Sequence, residues 1–361
     1  MVNLDNIIET AMAQMLSKPL TNKVFDVVVQ TGQGRRVMAK TPIFSDPRAD
    51  VIIEMVGEFA DHMGFDGTPD IARIFRSPVL PDERQVLRVL LGDNVYALKI
   101  DFTSDVSARL AREFDDLKRM TTHFSKYEKL GTVTPVYLSK SGTFFAMNYL
   151  GFPTAGQRLS ESQSLQTTRQ VYRRVGLWLS AMHDYKDQKI GKFNGAWMTR
   201  EIDALVEVGD MRAPVKDVLR MRDLLHQQNK EVFDVKGIRA WGHGDYHSEN
   251  IMLAPGMTYA FDLTEARMKM AVYDVVDFLK VDVFRQMPGE KIDRSGIITK
   301  HREMFFRGYK HKISPDIFDV AMRGRLLIDW ASITPAGHKK SKHQQAQFAR
   351  LKDRLDVAFA R

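Results

Sequence analysis

Two short apolar runs joined by a tight turn mark the middle of the chain: Ile251-Met252-Leu253, then Ala254-Pro255-Gly256, then Thr258-Tyr259-Ala260-Phe261. That pattern predicts a β-hairpin. Alternation also predicts a strand over Asn94–Asp101, and residues 144–151 read as a buried strand running into a connector. Between them Leu110, Phe114 and Leu117 recur at i, i+4 and i+7, the stripe of an amphipathic helix. A second helical period ends at His183, and a third covers residues 344–361, with Phe348, Leu351, Leu355 and Phe359 about one turn apart. That last helix is expected to pack on the core with its Arg and Lys in water. Ahead of residue 70 the pattern gives a helix over 4–16, a hairpin over 24–40 turning at 31–34, and a helix over 47–62. Gly64 and Gly67-Thr68-Pro69 then mark a boundary. Residues 152–166, rich in Ser, Gln and Gly, read as a connector, and no internal repeat is present.

The hairpin matters for chemistry. A hairpin sets the residue before its first strand beside the residue after its second. Asn250 and Asp262 therefore converge, and Asp245 lies on the loop leading into that end. Three converging oxygen-bearing side chains suit Mg²⁺, which takes one or two carboxylates while phosphates and water fill its other positions. Any one of these residues alone more often shapes a turn. An Asp, an Asn and a second Asp around one hairpin are much harder to obtain from loop chemistry. In kinases the catalytic-loop Asp accepts the hydroxyl proton, and the Asn and second Asp hold the metal ions.

The stretch His243-Gly244-Asp245, with Asn250 five residues after the Asp and an apolar residue before Asp262, resembles the aminoglycoside phosphotransferase and choline kinase-like superfamily. The similarity spans roughly residues 71–310 and includes Tyr273-Asp274-Val275-Val276-Asp277-Phe278 and the helix ending at His183. It implies an α+β, bilobal protein-kinase-like fold: a small antiparallel-sheet lobe plus a larger, mostly helical lobe, with an extra N-terminal α/β segment. The matching boundaries are 1–70 for the extension, 71–150 for the nucleotide-binding lobe and 151–361 for the catalytic and substrate-binding lobe. By this resemblance Asp245 is the general base or hydroxyl-orienting residue, and Asn250 and Asp262 are Mg²⁺ ligands. His243 braces the loop, Asp274 is a structural acid, and His247 is either a surface residue or a contact for substrate or phosphate.

Upstream, Lys99 sits within the apolar strand and Glu113 adjoins the Leu110 stripe, so the two can meet. In kinases such a Lys pairs with nucleotide phosphates and with a Glu on the following helix. Lys40, with Glu54 on the next helix, is the rival assignment. Lys99 is preferred because one helix and two strands then separate the Lys from the hinge. Met147 and Tyr149 in the hinge segment are candidate nucleotide contacts. The turn from Arg76 to Glu83 contains no glycine, although close backbone approach to phosphates normally relies on it. Ser77 is its candidate phosphate contact, since Pro78 has no amide hydrogen to give. ATP, rather than GTP, follows from the resemblance alone. Met268, Lys269 and Met270 replace small residues frequent after the metal Asp, a departure expected to reshape the substrate side.

Composition narrows the classes. At 361 residues with 44% apolar content the chain can build a real core in one or two domains. Without Cys, disulfides and thiolate metal sites are excluded. No apolar run approaches the length of a membrane span, and the first residues lack a signal pattern, so a cytoplasmic location is expected. The formal charge is +8, and residues 282–361 hold seventeen Lys or Arg against nine Asp or Glu, which accounts for all of it. A site for polycationic aminoglycosides should be ringed by acids. A basic substrate lobe instead favours a neutral or anionic sugar or cell-envelope precursor. No nucleic-acid motif accompanies the excess, so a solvated surface is preferred over a nucleic-acid or membrane patch. Three readings stand: a small-molecule O-phosphotransferase first, then a protein kinase, then a nucleotide-binding pseudokinase. The protein-kinase reading is disfavoured by Asp262-Leu263-Thr264 and the lack of an Ala-Pro-Glu motif. The pseudokinase reading has only the glycine-free turn behind it. For the first seventy residues three roles stay open: capping the small lobe, mediating homodimer contacts or shielding the nucleotide.

Overall fold

The structure is a computed structural model that describes residues 26–30, 36–40, 46–103, 106–161, 164–285 and 290–360. The helix expected over 4–16 and the turn at 31–34 lie outside these residues. The chain divides into two compact units, residues 1–123 with 132–151, and residues 124–131 with 152–361.

In the first unit the elements run β1 (Asp26–Gln30), β2 (Arg36–Lys40), α1 (Ala49–His62), β3 (Asp70–Arg76), β4 (Arg84–Leu91), β5 (Asn94–Asp101) and α2 (Val106–Phe124). After the short β6 (Leu130–Thr132) come β7 (Pro135–Leu138) and β8 (Phe144–Asn148). One seven-stranded sheet results, in the order β1-β2-β3-β4-β5-β8-β7. Its pairs are antiparallel except β2 with β3. The period of two in β4 and β5 divides their side chains between two faces. Leu87, Val89, Leu98 and Ile100 join Ile52, Val56, Phe59 and Ala60 of α1 in one buried cluster. Helix α1 forms because its apolar residues recur at helical spacing, and burying a ring such as Phe59 contributes about 1.5–3 kcal/mol. Lys99 lies one residue from Leu98 and Ile100, so it belongs to the opposite face. There Leu110, Phe114 and Leu117 of α2 are buried, and Phe114 meets Phe145 of β8 edge to face, with centroids 5.9 Å apart. Residues ahead of 70 thus extend the sheet and cover its second face.

The second unit is mainly helical: α3 (Ala155–Glu161), α4 (Leu165–His183), α5 (Ala196–Val208), α6 (Val215–Glu231), α7 (Val272–Leu279), α8 (Thr299–Phe306), α9 (Pro315–Ala331), α10 (Pro335–Lys340) and α11 (Lys342–Ala358). Strands β9 (Lys189–Lys192), β10 (Lys236–Gly242) and β13 (Arg267–Met270) form a sheet in the order β13-β10-β9. Strands β11 (Ile251–Leu253) and β12 (Thr258–Ala260) make the expected hairpin, in register Ile251↔Ala260. Among the described residues no helix is long and apolar enough to cross a membrane.

Two expectations are corrected here. Residues 152–166 are not a bare connector, because α3 lies within them. Thr154 accepts from the Gln157 amide at 3.1 Å and donates its own amide to Gln157 Oε1 at 2.9 Å, a reciprocal capping box. In α11, Arg354 is not in water but 0% exposed. Its guanidinium reaches Asp282 Oδ2 at 3.0 Å and the Gly296 carbonyl at 3.1 Å, so a charged partner and a backbone acceptor offset its desolvation.

Candidate active site

Strand β10 delivers the chain to His243, and a 3₁₀ turn over Ser248–Asn250 leads into β11. The next pair beyond the hairpin ladder is closed by the Phe261 amide donating to the Asn250 carbonyl at 3.1 Å, which sets Asp262 immediately after it. The Asn250 amide group donates to the Asp245 carbonyl at 3.0 Å and to Asp245 Oδ2 at 3.1 Å. Both acceptors need a donor, so the amide nitrogen must face Asp245 and the oxygen is directed away. Asp262 has φ of 63°, and among the described residues no other non-glycine residue has a positive φ. That conformation costs about 1–2 kcal/mol for a residue with a Cβ. Thr264 Oγ1 donates to Asp262 Oδ1 at 2.6 Å and fixes the carboxylate. The three residues that the hairpin argument brings together do lie at one end of it.

Histidines brace this loop. The His243 ring donates from Nε2 to the Phe261 carbonyl at 2.9 Å and accepts from the Asp245 amide at Nδ1, 3.4 Å away. It thereby ties the backbone beside Asp245 to the backbone beside Asp262. Burial lowers the His243 pKa, so the ring is neutral, as this double role requires. His247 accepts the Glu249 amide at Nδ1, 3.2 Å away, which leaves its proton on Nε2, 3.4 Å from Asp245 Oδ2. Burial pushes the Asp245 carboxyl up, but the adjacent His247 ring outweighs that and the net direction is down. Asp245 is therefore ionised at neutral pH and able to accept a hydrogen bond from a hydroxyl.

Asp274, at the start of α7, is 0% exposed and anchors the loop from below. It accepts from the His243 amide at 2.8 Å, the Gly244 amide at 3.0 Å, His183 Nε2 at 3.1 Å and Lys269 Nζ at 2.9 Å. Burial alone would raise its pKa. The Lys269 charge and the hydrogen bonds from His183 and Lys269 overcome that and hold it far below the usual carboxylate range. Gly244 has φ of +92°, and a Cβ there would stand 2.2 Å from the Glu265 carbonyl, so only glycine fits. Lys269 and Thr264 are the contributors that residue spacing did not reveal. The run Met268-Lys269-Met270 stood out only as a departure from small residues, with no hint of which side chain lay below the loop.

In the first unit Lys99 Nζ lies 2.8 Å from both Glu113 carboxylate oxygens, and the Glu113 side chain is 1% exposed against 19% for Lys99. The rival Lys40 is on β2, separated from β5 by β3 and β4, and Glu54 is on α1, which covers the opposite face. In the turn between β3 and β4 the Ser77 amide donates to the Arg84 carbonyl at 2.8 Å, and Ser77 Oγ accepts from the Leu80 amide at 3.1 Å. Those two groups serve the turn itself. Met147 is buried on β8 opposite Ala97, and the Tyr149 amide donates to the Val95 carbonyl at 3.3 Å.

A profile of the phosphotransferase enzyme family matches residues 80–304. Among solved structures, spectinomycin phosphotransferase in complex with ADP and spectinomycin is similar at a TM-score of 0.54 and 12% identity, over 85% of this chain and 97% of that one. Choline kinase from Streptococcus pneumoniae gives 0.54 and 11%, over 84% and 99%. Amicoumacin kinase in complex with AMP-PNP and Ca²⁺ gives 0.53 and 15%, over 80% and 87%. At these identities the likeness is one of fold. None of the curated proteins compared with the chain matches it.

Proposed function

The chain belongs to the phosphotransferase enzyme family, and on that premise we propose that it transfers the γ-phosphoryl group of ATP, with Mg²⁺, to a hydroxyl of a small neutral or anionic molecule. A sugar or a cell-envelope precursor fits this better than a polycationic aminoglycoside. The observation that carries the chemistry is the junction at the hairpin's open end, where Asn250 holds Asp245 and the Phe261 amide seats Asp262 beside Asn250.

The donor set suits the metal. Asp262 is held by Thr264, and the Asn250 amide nitrogen is committed to Asp245, which leaves the Asn250 oxygen as the atom a cation would take. Among the described residues no group of three or more His, Asp and Glu is placed to hold a metal ion. One carboxylate and one amide oxygen nonetheless suffice for Mg²⁺ where phosphates complete the shell. When bound, the ion neutralises triphosphate charge. Asp245 orients the acceptor hydroxyl and receives its proton as the oxygen–phosphorus bond forms and ADP departs. Lys99, steered by Glu113, steadies the nucleotide phosphates. Such catalysis is mostly positioning and charge neutralisation.

The preference for neutral or anionic acceptors draws on charge, because the whole net +8 belongs to residues 282–361 of the second unit. A panel of acceptors tests it: uronic and phosphorylated sugars, neutral amino sugars, choline and aminoglycosides, each with Mg-ATP and ADP release as readout. Turnover restricted to the cationic members would overturn the acceptor class. Absence of nucleotide binding by calorimetry with Mg²⁺ present would overturn the kinase reading itself.

A further inference from the structure

The Asp274 carboxylate holds the first two amides of the catalytic loop, and its charge must be balanced without water. Five groups face it from the surrounding elements: Lys269 of β13, His183 of α4, His243 and Tyr246 of the loop, and Tyr309 after α8. Burial lowers both histidines and raises both tyrosines, so all four are neutral. Lys269 supplies the cation. Its stem crosses Gly242, where a Cβ would stand 2.9 Å from Lys269 Cγ and 2.5 Å from Asp274 Oδ2. Its Nζ reaches Asp274 Oδ1 at 2.9 Å and approaches the Gly244 carbonyl at 3.5 Å. Register places Lys269 opposite Ala240, so the strand pairing of β13 with β10 delivers the amine beneath the loop that β10 begins.

We propose that Lys269 is a positioning residue for phosphoryl transfer, its ammonium fixing Asp274 and, through the His243 and Gly244 amides, the placement of Asp245. This rests on Asp245 being the group that orients the hydroxyl. It gives a lysine whose amine is engaged with Asp274 and the Gly244 carbonyl a defined share in the rate.

The test uses the full chain and Lys269→Met, with Mg-ATP turnover read as phosphate release to water or to an accepted sugar. Amide ¹H–¹⁵N spectra of Gly244 and His243 are followed from pH 8 to pH 5. Lysine removal is expected to lower kcat about a hundredfold while the KM for ATP holds, since small misplacements near the reacting groups cost that much. The Gly244 amide, constant over this window in the parent, should titrate in the variant, because a buried carboxyl that loses its cation is pushed up. Lys269→Arg should restore part of kcat. Unchanged kcat, or a loss of kcat with a Gly244 amide that does not titrate, would overturn the proposal. Where Lys269→Met does not fold, Asp274→Asn is compared with Asp274→Asn/Lys269→Met; the double variant carries neither charge, and the single variant leaves an ammonium that keeps 15% exposure. Equal kcat in those two supports action through Asp274, and a further hundredfold loss in the double variant overturns it. Full turnover in Asp245→Ala would instead remove the parent reading, an outcome independent of how Lys269 behaves.

Discussion

Replacing Lys99 by Met separates its pairing with Glu113 from the phosphate contact proposed for it. The amine stands 2.8 Å from both oxygens of Glu113, whose side chain is 1% exposed. Methionine fills the stem's volume but removes the cation, leaving a buried carboxylate without it. Breaking a buried pair from one side costs about 3–5 kcal/mol. The Lys99 side chain keeps 19% exposure, so water offsets part of this and the lower figure, about 3 kcal/mol, applies. For a unit of this size that is a drop of about 6–12 °C in Tm. Calorimetry or far-ultraviolet circular dichroism must read it, because Trp178, Trp197, Trp241 and Trp330 all lie in the second unit. Tryptophan fluorescence would report the wrong half. Adding Glu113→Gln removes the buried charge and should recover most of the lost stability. ATP turnover should stay down by about a hundredfold in both variants, as for loss of one charge-stabilising donor. Unchanged stability in Lys99→Met would show the pair to be ornamental. Recovery of turnover along with stability in the double variant would show that Lys99 serves the fold and not the phosphates.

Three further outcomes follow from the same geometry. Asp245→Asn should lower turnover by about 10²–10⁴ with ATP affinity kept by calorimetry, and equal losses of both would point to a folding defect. Acidification from pH 7 to pH 5 should lower the urea midpoint. His183 and His243 have depressed folded pKa values, so their contribution is complete above the unfolded value near 6.5 and is lost as pH falls. Asp274, also depressed, begins to contribute its loss only below about pH 4, so a midpoint that is flat or rising between 7 and 5 would refute this. Phe59→Ala should cost about 3–5 kcal/mol, seen by calorimetry, if α1 is part of the first unit's core rather than an appendage.

What could be read from the sequence was what depends on neighbours in the chain. The β5 strand, the hairpin and the α2 stripe declare themselves within eight to twelve residues, and Asn250 and Asp262 follow from the hairpin's own geometry. The helix over 47–62 was equally visible, but not the sheet face it covers, because that face is assembled from β3, β4, β5 and β8. Arg354 shows the same limit. Helical periodicity assigns it to water, and only Asp282, far back in the chain, makes its burial tolerable. The short α3 is a different case. Its signal, Thr154 three residues before Gln157, was present in the sequence, but the surrounding Ser, Gln and Gly masked it.

The histidines show how the loop is tied together with little added charge. His243 donates to the Phe261 carbonyl and accepts from the Asp245 amide, and His247 donates toward Asp245 while accepting from the Glu249 amide. His183 points Nε2 at Asp274 and takes the Tyr309 hydroxyl at Nδ1, 2.8 Å away. In His243 and His183 one ring nitrogen gives and the other receives, which an imidazolium cannot do because it has two donors and no acceptor. The buried His243 and His183 rings, both with lowered pKa, are therefore connectors, joining an acidic group or a loop amide to a second fixed point without adding a cation. Were they charged, they would compete with Lys269 for Asp274. Permanent positive charge in the second unit's loop is instead carried by Lys269, held by the buried Asp274. Gly244 and the strand pairing of β13 with β10 hold this arrangement, the glycine by accommodating the loop's positive φ and the pairing by bringing Lys269 to Asp274.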